Sequence, residues 1–140
     1  MKKHALTLFL CLLVLVSPLI PNAAAAMWDE GIQPHYTRIL GIDVGLDISS
    51  SGRADCYSQV VLNNTSDTAD LTMELQRSNG GNSWRTIKTW STSGSDTVTL
   101  DKDWYVTSGY TYRVHITVDV YTSSGNFAEN ESEDSMTVTY

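Results

Sequence analysis

The sequence predicts an all-β fold, a single β-sandwich of seven antiparallel strands, and three observations point to it. From Ile39 onward Thr, Val, Tyr and Ser dominate, apolar and polar residues alternate with a period of two, and turn residues recur roughly every eight to fourteen positions. Because each predicted strand has one apolar face, two packed layers bury those faces with the fewest exposed edges. An up-and-down barrel is the competing architecture, but the sequence does not show eight strands of even length.

The first three strands are predicted at 40–48, 53–62 and 70–77. Turn residues at 49–52 and a polar loop at 63–69 separate them. Every second residue of these strands is expected to face the core: Ile42, Val44, Leu46 and Ile48, then Ala54, Cys56, Ser58, Val60 and Leu62, then Leu71, Met73 and Leu75.

A hairpin at 79–82, whose Asn and Gly residues suit positive φ angles, leads into a fourth strand at 83–91. Residues 93–95 are expected to close that strand, and a short fifth strand follows at 96–100. The sixth strand, 110–121, is the longest, and a last strand ends the chain. The core-facing residues expected in these two strands are Tyr112, Val114, Ile116, Val118 and Val120, then Met136, Val138 and Tyr140.

The entry into the sixth strand carries a resemblance to known domains. Leu100, Trp104 and Val106, followed by the run from Ser108 to Val114, are similar to the segment that leads into strand F of fibronectin type III and immunoglobulin-like domains. In those domains a tyrosine corner bonds its hydroxyl to the preceding loop, so the likeness implies that Tyr112 is the corner residue. The strand B Trp and the antibody-type cysteine pair are absent from this sequence.

The layout also resembles small secreted proteins of unknown function from clostridial Gram-positive bacteria. The shared features are a signal, the first strand, the W-x-T-x-K-T-W segment at Trp84–Trp90 and the G-Y-x-Y-R entry at Gly109–Arg113. This likeness implies no known activity.

The N-terminal residues have the pattern of an export signal. Lys2 and Lys3 precede a largely apolar run, and small residues end it at Ala26. We therefore expect a signal peptide over 1–26, an irregular lead-in over 27–38 and the sandwich domain over 39–140. The protein is expected to be secreted and to have no membrane association after cleavage.

Charge and cysteine content narrow the class of protein further. Without the signal, seven basic residues face sixteen acidic ones, a net charge of −9 with His neutral. Because such a charge repels phosphates, it disfavours nucleic acids and anionic membranes, and neither is expected as a partner. Cys56 is then the only thiol, so no internal disulfide can form, which favours a Gram-positive bacterium over an animal secretory pathway.

No residue pattern indicates catalysis or a cofactor. Cys56 is in phase with core positions, His115 is on the solvent side of its strand, and His35 is in the lead-in. A reactive thiol would need one of these histidines beside it. We therefore expect no enzyme activity, no cofactor and no transition-metal site.

Acidic residues leave one alternative open, because calcium needs only oxygen ligands. Asp101 and Asp103 flank Lys102, Asp67 and Asp70 are in a loop, and glutamates alternate in the last strand. The preferred interpretation assigns no metal and treats Glu129, Glu131 and Glu133 as a solvated outer face that discourages edge pairing.

Aromatic residues provide the one candidate binding platform. Strict alternation places Trp84 and Trp90 on one face of the fourth strand and Ile87 on the other. Either both tryptophans are in the core, or both are outside and form a platform with Tyr110 and Tyr121 for sugar rings or a partner chain.

The sequence thus predicts a secreted, non-catalytic binding or interaction module whose partner is an extracellular protein or glycan. The alternative is a structural or assembly protein of the cell surface whose edge strands pair between copies.

Overall fold

Two antiparallel sheets pack face to face as a β-sandwich in the computed structural model, which describes residues 36–140. The described chain contains eight strands: β1 (Ile39–Ile48), β2 (Arg53–Leu62), β3 (Thr68–Ser78), β4 (Trp84–Ser95), β5 (Thr97–Tyr105), β6 (Thr111–Tyr121), β7 (Phe127–Asp134) and β8 (Val138–Thr139). Sheet A has the order β1-β2-β5. Sheet B has the order β4-β3-β6-β7, and β8 pairs with β6.

The core lies between the inner faces of β2, β3, β5 and β6, and alternation explains it. Every second residue of β2, β3 and β6 is buried, so the expected core positions of these strands are confirmed. The inward residues of β1 are half-buried because β1 is an edge strand. Val98 and Leu100 of β5 complete the core.

Strand bounds follow the prediction closely for β1, β2, β3 and β6, which differ from it by two residues at most. The predictions for β4 and β5 are wrong in length. Residues 93–95 do not close β4, because they pair with Thr68, Ala69 and Asp70 of β3. β5 does not stop at Leu100, because its hydrogen-bonded ladder with β2 continues to Tyr105 although its inward residues there are polar or exposed.

The end of the chain differs from the single last strand that the sequence predicted. Ser135 interrupts it, because its backbone N–H donates to the Val114 carbonyl while its hydroxyl accepts from the Val114 N–H. β7 therefore stops at Asp134, and the two-residue β8 follows, giving eight strands instead of seven. Met136 is 88 % exposed, so its predicted core position is wrong.

The predicted signal peptide, 1–26, and most of the lead-in, 27–35, lie outside the described residues. Residues 36–38 are irregular, as expected. Across 36–140, no helix is long and apolar enough to cross a membrane.

Candidate binding surface

The two tryptophans of β4 lie on opposite faces of sheet B, so the expectation that they share a face is wrong. Pairing shifts from Leu75 with Lys88 to Gln76 with Thr86, which leaves Ile87 as the extra residue of a β-bulge. Trp90 pairs with the buried Met73 and packs against the core. Trp84 lies on the outer face, where Arg113 stacks 4.4 Å above its ring centroid.

Tyr110 and Tyr121 lie at opposite ends of β6, roughly 35 Å apart along the strand. Tyr121 is on the outer face, as expected, and its ring meets Phe127 edge-on with centroids 6.0 Å apart. Tyr110 precedes β6 and is stacked by Arg77 at 4.2 Å. The four predicted platform residues are therefore not brought together.

A different set of aromatic and basic side chains does converge, at the end of the sandwich that carries the β3–β4 hairpin and the β5–β6 loop. Lys88 of β4 lies 4.4 Å above the Trp104 ring of β5, which links the two sheets at this edge. Trp104 and Tyr110 remain 42 % and 41 % exposed. We call this set the cationic opening; it consists of Arg77, Arg85, Lys88, Lys102, Trp104 and Tyr110.

Register shows that the strand residues of the cationic opening lie on the inner faces of the sheets. Directly opposite residues of an antiparallel pair share a face. In sheet A, Trp104 is opposite the buried Ala54, and Lys102 is opposite the buried Cys56. Both are exposed although they point toward sheet B, so sheet B covers them only in part.

Sheet B contributes basic residues on its own inner face. Lys88 is opposite the buried Leu75, and Arg77 lies between Tyr112 on β6 and Arg85 on β4. The Nε atom of Arg77 is buried without a hydrogen-bond partner. The sandwich is therefore open at this end, and positive charge lines the opening.

The remaining basic residues of 36–140 are paired with carboxylates. Arg38 bonds the buried Asp67 at 2.8 Å, and Arg53 bonds Asp55 at 2.9 Å. On the outer face of sheet B, Asp134 binds both Arg113 and His115 at 2.6 Å. His115 is thus half-buried and hydrogen-bonded to Asp134 rather than free in solvent.

The glutamates of β7 lie on the inner face of sheet B, so the predicted outer face is wrong. Glu129, Glu131 and Glu133 pair with Val120, Val118 and Ile116, whose side chains are buried. They remain half-buried because β7 is an edge strand. Inward-pointing charges of this kind protect an edge from strand addition.

Two of these glutamates hold the residues that precede β1. Glu129 accepts hydrogen bonds from the Thr37 and Arg38 N–H groups at 3.0 and 2.7 Å. The Tyr36 hydroxyl donates to Glu133 at 2.6 Å. Burial and then the Glu133 carboxylate raise the pKa of Tyr36 well above its usual value.

The other acidic residues do not assemble a calcium site. Asp101 and Asp103 lie on the outer face of sheet A. Asp67 is buried against Arg38, whereas Asp70 lies on the outer face of sheet B. In residues 36–140 no group of three or more His, Cys, Asp or Glu side chains could hold a metal ion. A polar pocket of about 270 Å³ beside Asp67 is lined by Thr37, Arg38, Asn63 and Asn64.

Cys56 and His115 are not neighbours. Cys56 is buried on the inner face of sheet A, whereas His115 lies on the outer face of sheet B. Burial, with smaller contributions from Asp55 and Asp103, raises the pKa of the Cys56 thiol to about 12. A thiol with that pKa is a poor nucleophile at neutral pH.

Sequence reasoning missed Trp104, Lys102 and the pairing of Lys88 with the Trp104 ring. The available signal was alternation itself, since 102 and 104 continue the phase of Val98 and Leu100. A lysine at an inward position breaks the apolar alternation of a core strand, so hydrophobicity alone ends the predicted strand at Leu100.

No family model matches the chain, and no curated protein matches it. Among solved structures, it is similar to parts of three glycosidases. A Bacteroides uniformis β-glucuronidase 2 has a TM-score of 0.39 and 13 % identity, over 67 % of this chain and 12 % of that one. A Bifidobacterium adolescentis GH3 β-glucosidase has a TM-score of 0.35 and 17 % identity, over 69 % of this chain and 17 % of that one. A Kluyveromyces marxianus β-glucosidase has a TM-score of 0.36 and 12 % identity, over 74 % of this chain and 14 % of that one. With every TM-score below 0.5, these matches do not establish a relationship.

Proposed function

We propose that this chain is a secreted, non-catalytic binding module and that the cationic opening is its binding surface. One observation carries the proposal: two aromatic rings, each stacked on one face by a cation, stay about two-fifths exposed at the same open end of the sandwich. Large exposed rings held in fixed positions are typical of recognition surfaces, because they supply contact area at a low entropy cost. An extracellular glycan or protein is the class of partner that such a surface suits.

A fibronectin type III-like arrangement is part of the proposal. β4 pairs with β3 in the sheet of β6 and β7, whereas the fourth strand of a constant-type immunoglobulin domain joins the other sheet. The Tyr112 hydroxyl donates to the Thr107 carbonyl, which fits the tyrosine corner of this class of domain.

Export rests on the N-terminal pattern and has its own test. The pattern over 1–26 predicts cleavage after Ala26, in a Gram-positive host. Intact mass spectrometry of protein from culture supernatant should give the chain that begins at Met27. Protein in the supernatant that keeps Lys2 and Lys3 would contradict the proposal.

Assembly by edge-strand pairing receives less support than binding. The inner-face glutamates of β7 oppose strand addition at that edge, and two of them already bind Tyr36, Thr37 and Arg38.

The binding proposal is tested on the secreted protein with a panel of defined polysaccharides and extracellular proteins. Trp104→Ala and Tyr110→Ala should each weaken binding about tenfold or more, because each removes an exposed ring. Phe127→Ala is the matched control and should leave binding unchanged. Phe127, the first residue of β7, is 60 % exposed and lies beside the far end of β6. Urea midpoints confirm that the variants are folded. The proposal is contradicted if Trp104→Ala and Tyr110→Ala bind as tightly as Phe127→Ala. It is also contradicted if the unmodified protein binds nothing in the panel.

A further inference from the structure

We propose that the cationic opening recognises an acidic polysaccharide, with its aromatic rings against the sugar faces and its cations against the sugar carboxylates. This inference rests on the proposed binding function and names the chemical class of its ligand.

Charge pairing within the chain is the first support. Residues 36–140 contain fourteen carboxylate side chains, yet four of the seven Lys and Arg residues have no salt bridge among these residues. All four, Arg77, Arg85, Lys88 and Lys102, belong to the cationic opening. In so acidic a chain, four cations that have no carboxylate within salt-bridge distance in the described region form a surface that is complementary to an anion.

The arrangement of two arginines is the second support. Arg77 and Arg85 are directly opposite each other on neighbouring strands, a pairing that destabilises a sheet because like charges repel. The buried Nε of Arg77 has no acceptor, which adds a desolvation cost. Arg77 gains the stack with Tyr110, and Arg85 is exposed to solvent. An anion bound between the two side chains would offset the repulsion that remains.

The stacked rings separate a sugar from other anions. Lys88 covers one face of the Trp104 ring, and Arg77 covers one face of the Tyr110 ring. Each ring stays partly exposed beside a positive charge. A pyranose that carries a carboxylate has an apolar C–H face for such a ring and a charge at its rim for the cation. An acidic protein segment has the charge without the flat face.

The neighbouring aspartates limit how much negative charge the ligand can carry. Asp101 and Asp103 flank Lys102 and lie on the other face of β5. They repel a densely charged chain such as a nucleic acid more strongly than a polysaccharide with one carboxylate per sugar.

The test compares polysaccharides that differ only in their carboxylates. Polygalacturonate, alginate and hyaluronate are each titrated into the secreted protein beside their methyl-esterified forms, by calorimetry in about 50 mM and about 500 mM salt. We expect at least one acidic form to bind, esterification to weaken it about tenfold or more, and high salt to do the same. The inference is overturned if none of the three acidic forms binds. It is also overturned if the acidic and esterified forms bind equally.

Charge variants locate the binding. The double variant Arg85→Gln/Lys102→Gln should lose about tenfold in affinity for the acidic form, because two charge-assisted contacts are removed. Arg53→Gln is the matched control, since Arg53 is already paired with Asp55 on the outer face of sheet A. An equal loss in the control overturns the inference.

Two further outcomes separate this inference from its competitors. Binding of esterified and acidic forms alike, abolished by Trp104→Ala, would leave the proposed function intact and defeat only the acidic-sugar inference. Salt-sensitive dimers without polysaccharide, seen by analytical ultracentrifugation and removed by Arg85→Gln/Lys102→Gln, would show that the anionic partner is a second copy and would overturn the inference.

Discussion

The Tyr112 hydroxyl donates a 2.6 Å hydrogen bond to the backbone carbonyl of Thr107, five residues upstream. Tyr112 is buried at the start of β6, so this bond fastens the β5–β6 loop to the core. The same loop is held from the other sheet, because the Val106 N–H donates to the Gly52 carbonyl at 2.8 Å. Tyr110, which is part of the cationic opening, therefore emerges from a loop that both sheets fix in place.

Tyr112→Phe should lower the free energy of unfolding by about 1–3 kcal/mol without changing the fold, because the ring stays packed while the Thr107 carbonyl loses its partner. Tyr121→Phe is the control, since Tyr121 is half-buried on the outer face and should cost far less. Denaturant midpoints of the two variants give the comparison. Equal losses, or a larger one at Tyr121, would contradict the anchoring role of Tyr112.

The sequence predicted the layers and the core well, because a burial pattern with a period of two is written directly into β2, β3 and β6. It failed where the inward residue is not apolar. Lys102 and Trp104 of β5 and the glutamates of β7 point inward at open edges, where solvent still reaches charged groups. Alternation of hydrophobicity cannot identify such positions, although backbone pairing fixes them.

A β-bulge is the other source of error, since one extra residue reverses every following position on the strand. Nothing in the W-R-T-I-K-T-W segment distinguishes Ile87 as the extra residue. The bulge puts Trp84 and Trp90 on opposite faces, and the length of β6 separates Tyr110 from Tyr121, so the predicted platform does not form. The positions of the cationic opening follow only from the pairing of β3 with β4 and of β2 with β5.

Opposite placement of the two β4 tryptophans predicts unequal costs of removing them. Trp90→Ala should lower the free energy of unfolding by about 2–4 kcal/mol, because the indole packs against the core and leaves a cavity. Trp84→Ala should cost about 1 kcal/mol or less, since it removes mainly the stack with Arg113 on the outer face. Urea unfolding of both variants measures the difference, and a costlier loss at Trp84 would show that the register of β4 is wrong.

Burial of Cys56 predicts a slow thiol and a dependence of stability on alkaline pH. Because burial raises its pKa from 9.0 to about 12, native protein should resist a small thiol reagent at pH 8 and react only on unfolding. The folded state keeps the proton that the unfolded state loses. The stability that this provides is complete below about pH 9 and is lost as the pH rises toward 12.

Comparison with Cys56→Ala isolates that contribution from the ionisation of tyrosines. The variant is expected to be less stable at neutral pH, since it leaves a small cavity, but its free energy of unfolding should fall less steeply between pH 9 and pH 12. Parallel pH profiles for the two proteins, or rapid labelling of the native thiol, would contradict the prediction.

Glu129 on the inner face of β7 should control the order of the residues that lead into β1. Its carboxylate accepts from the Thr37 and Arg38 N–H groups and from the Thr37 hydroxyl, so Glu129→Gln replaces one acceptor oxygen by a donor. We expect amide exchange at Thr37 and Arg38 to accelerate about tenfold while core amides of β6 are unchanged. Glu131→Gln is the matched control, because Glu131 lies in the same row and its carboxylate has no hydrogen bond within residues 36–140. Hydrogen exchange followed by NMR measures both. If Glu131→Gln accelerates the same two amides equally, the effect comes from the row's charge and not from the Glu129 hydrogen bonds.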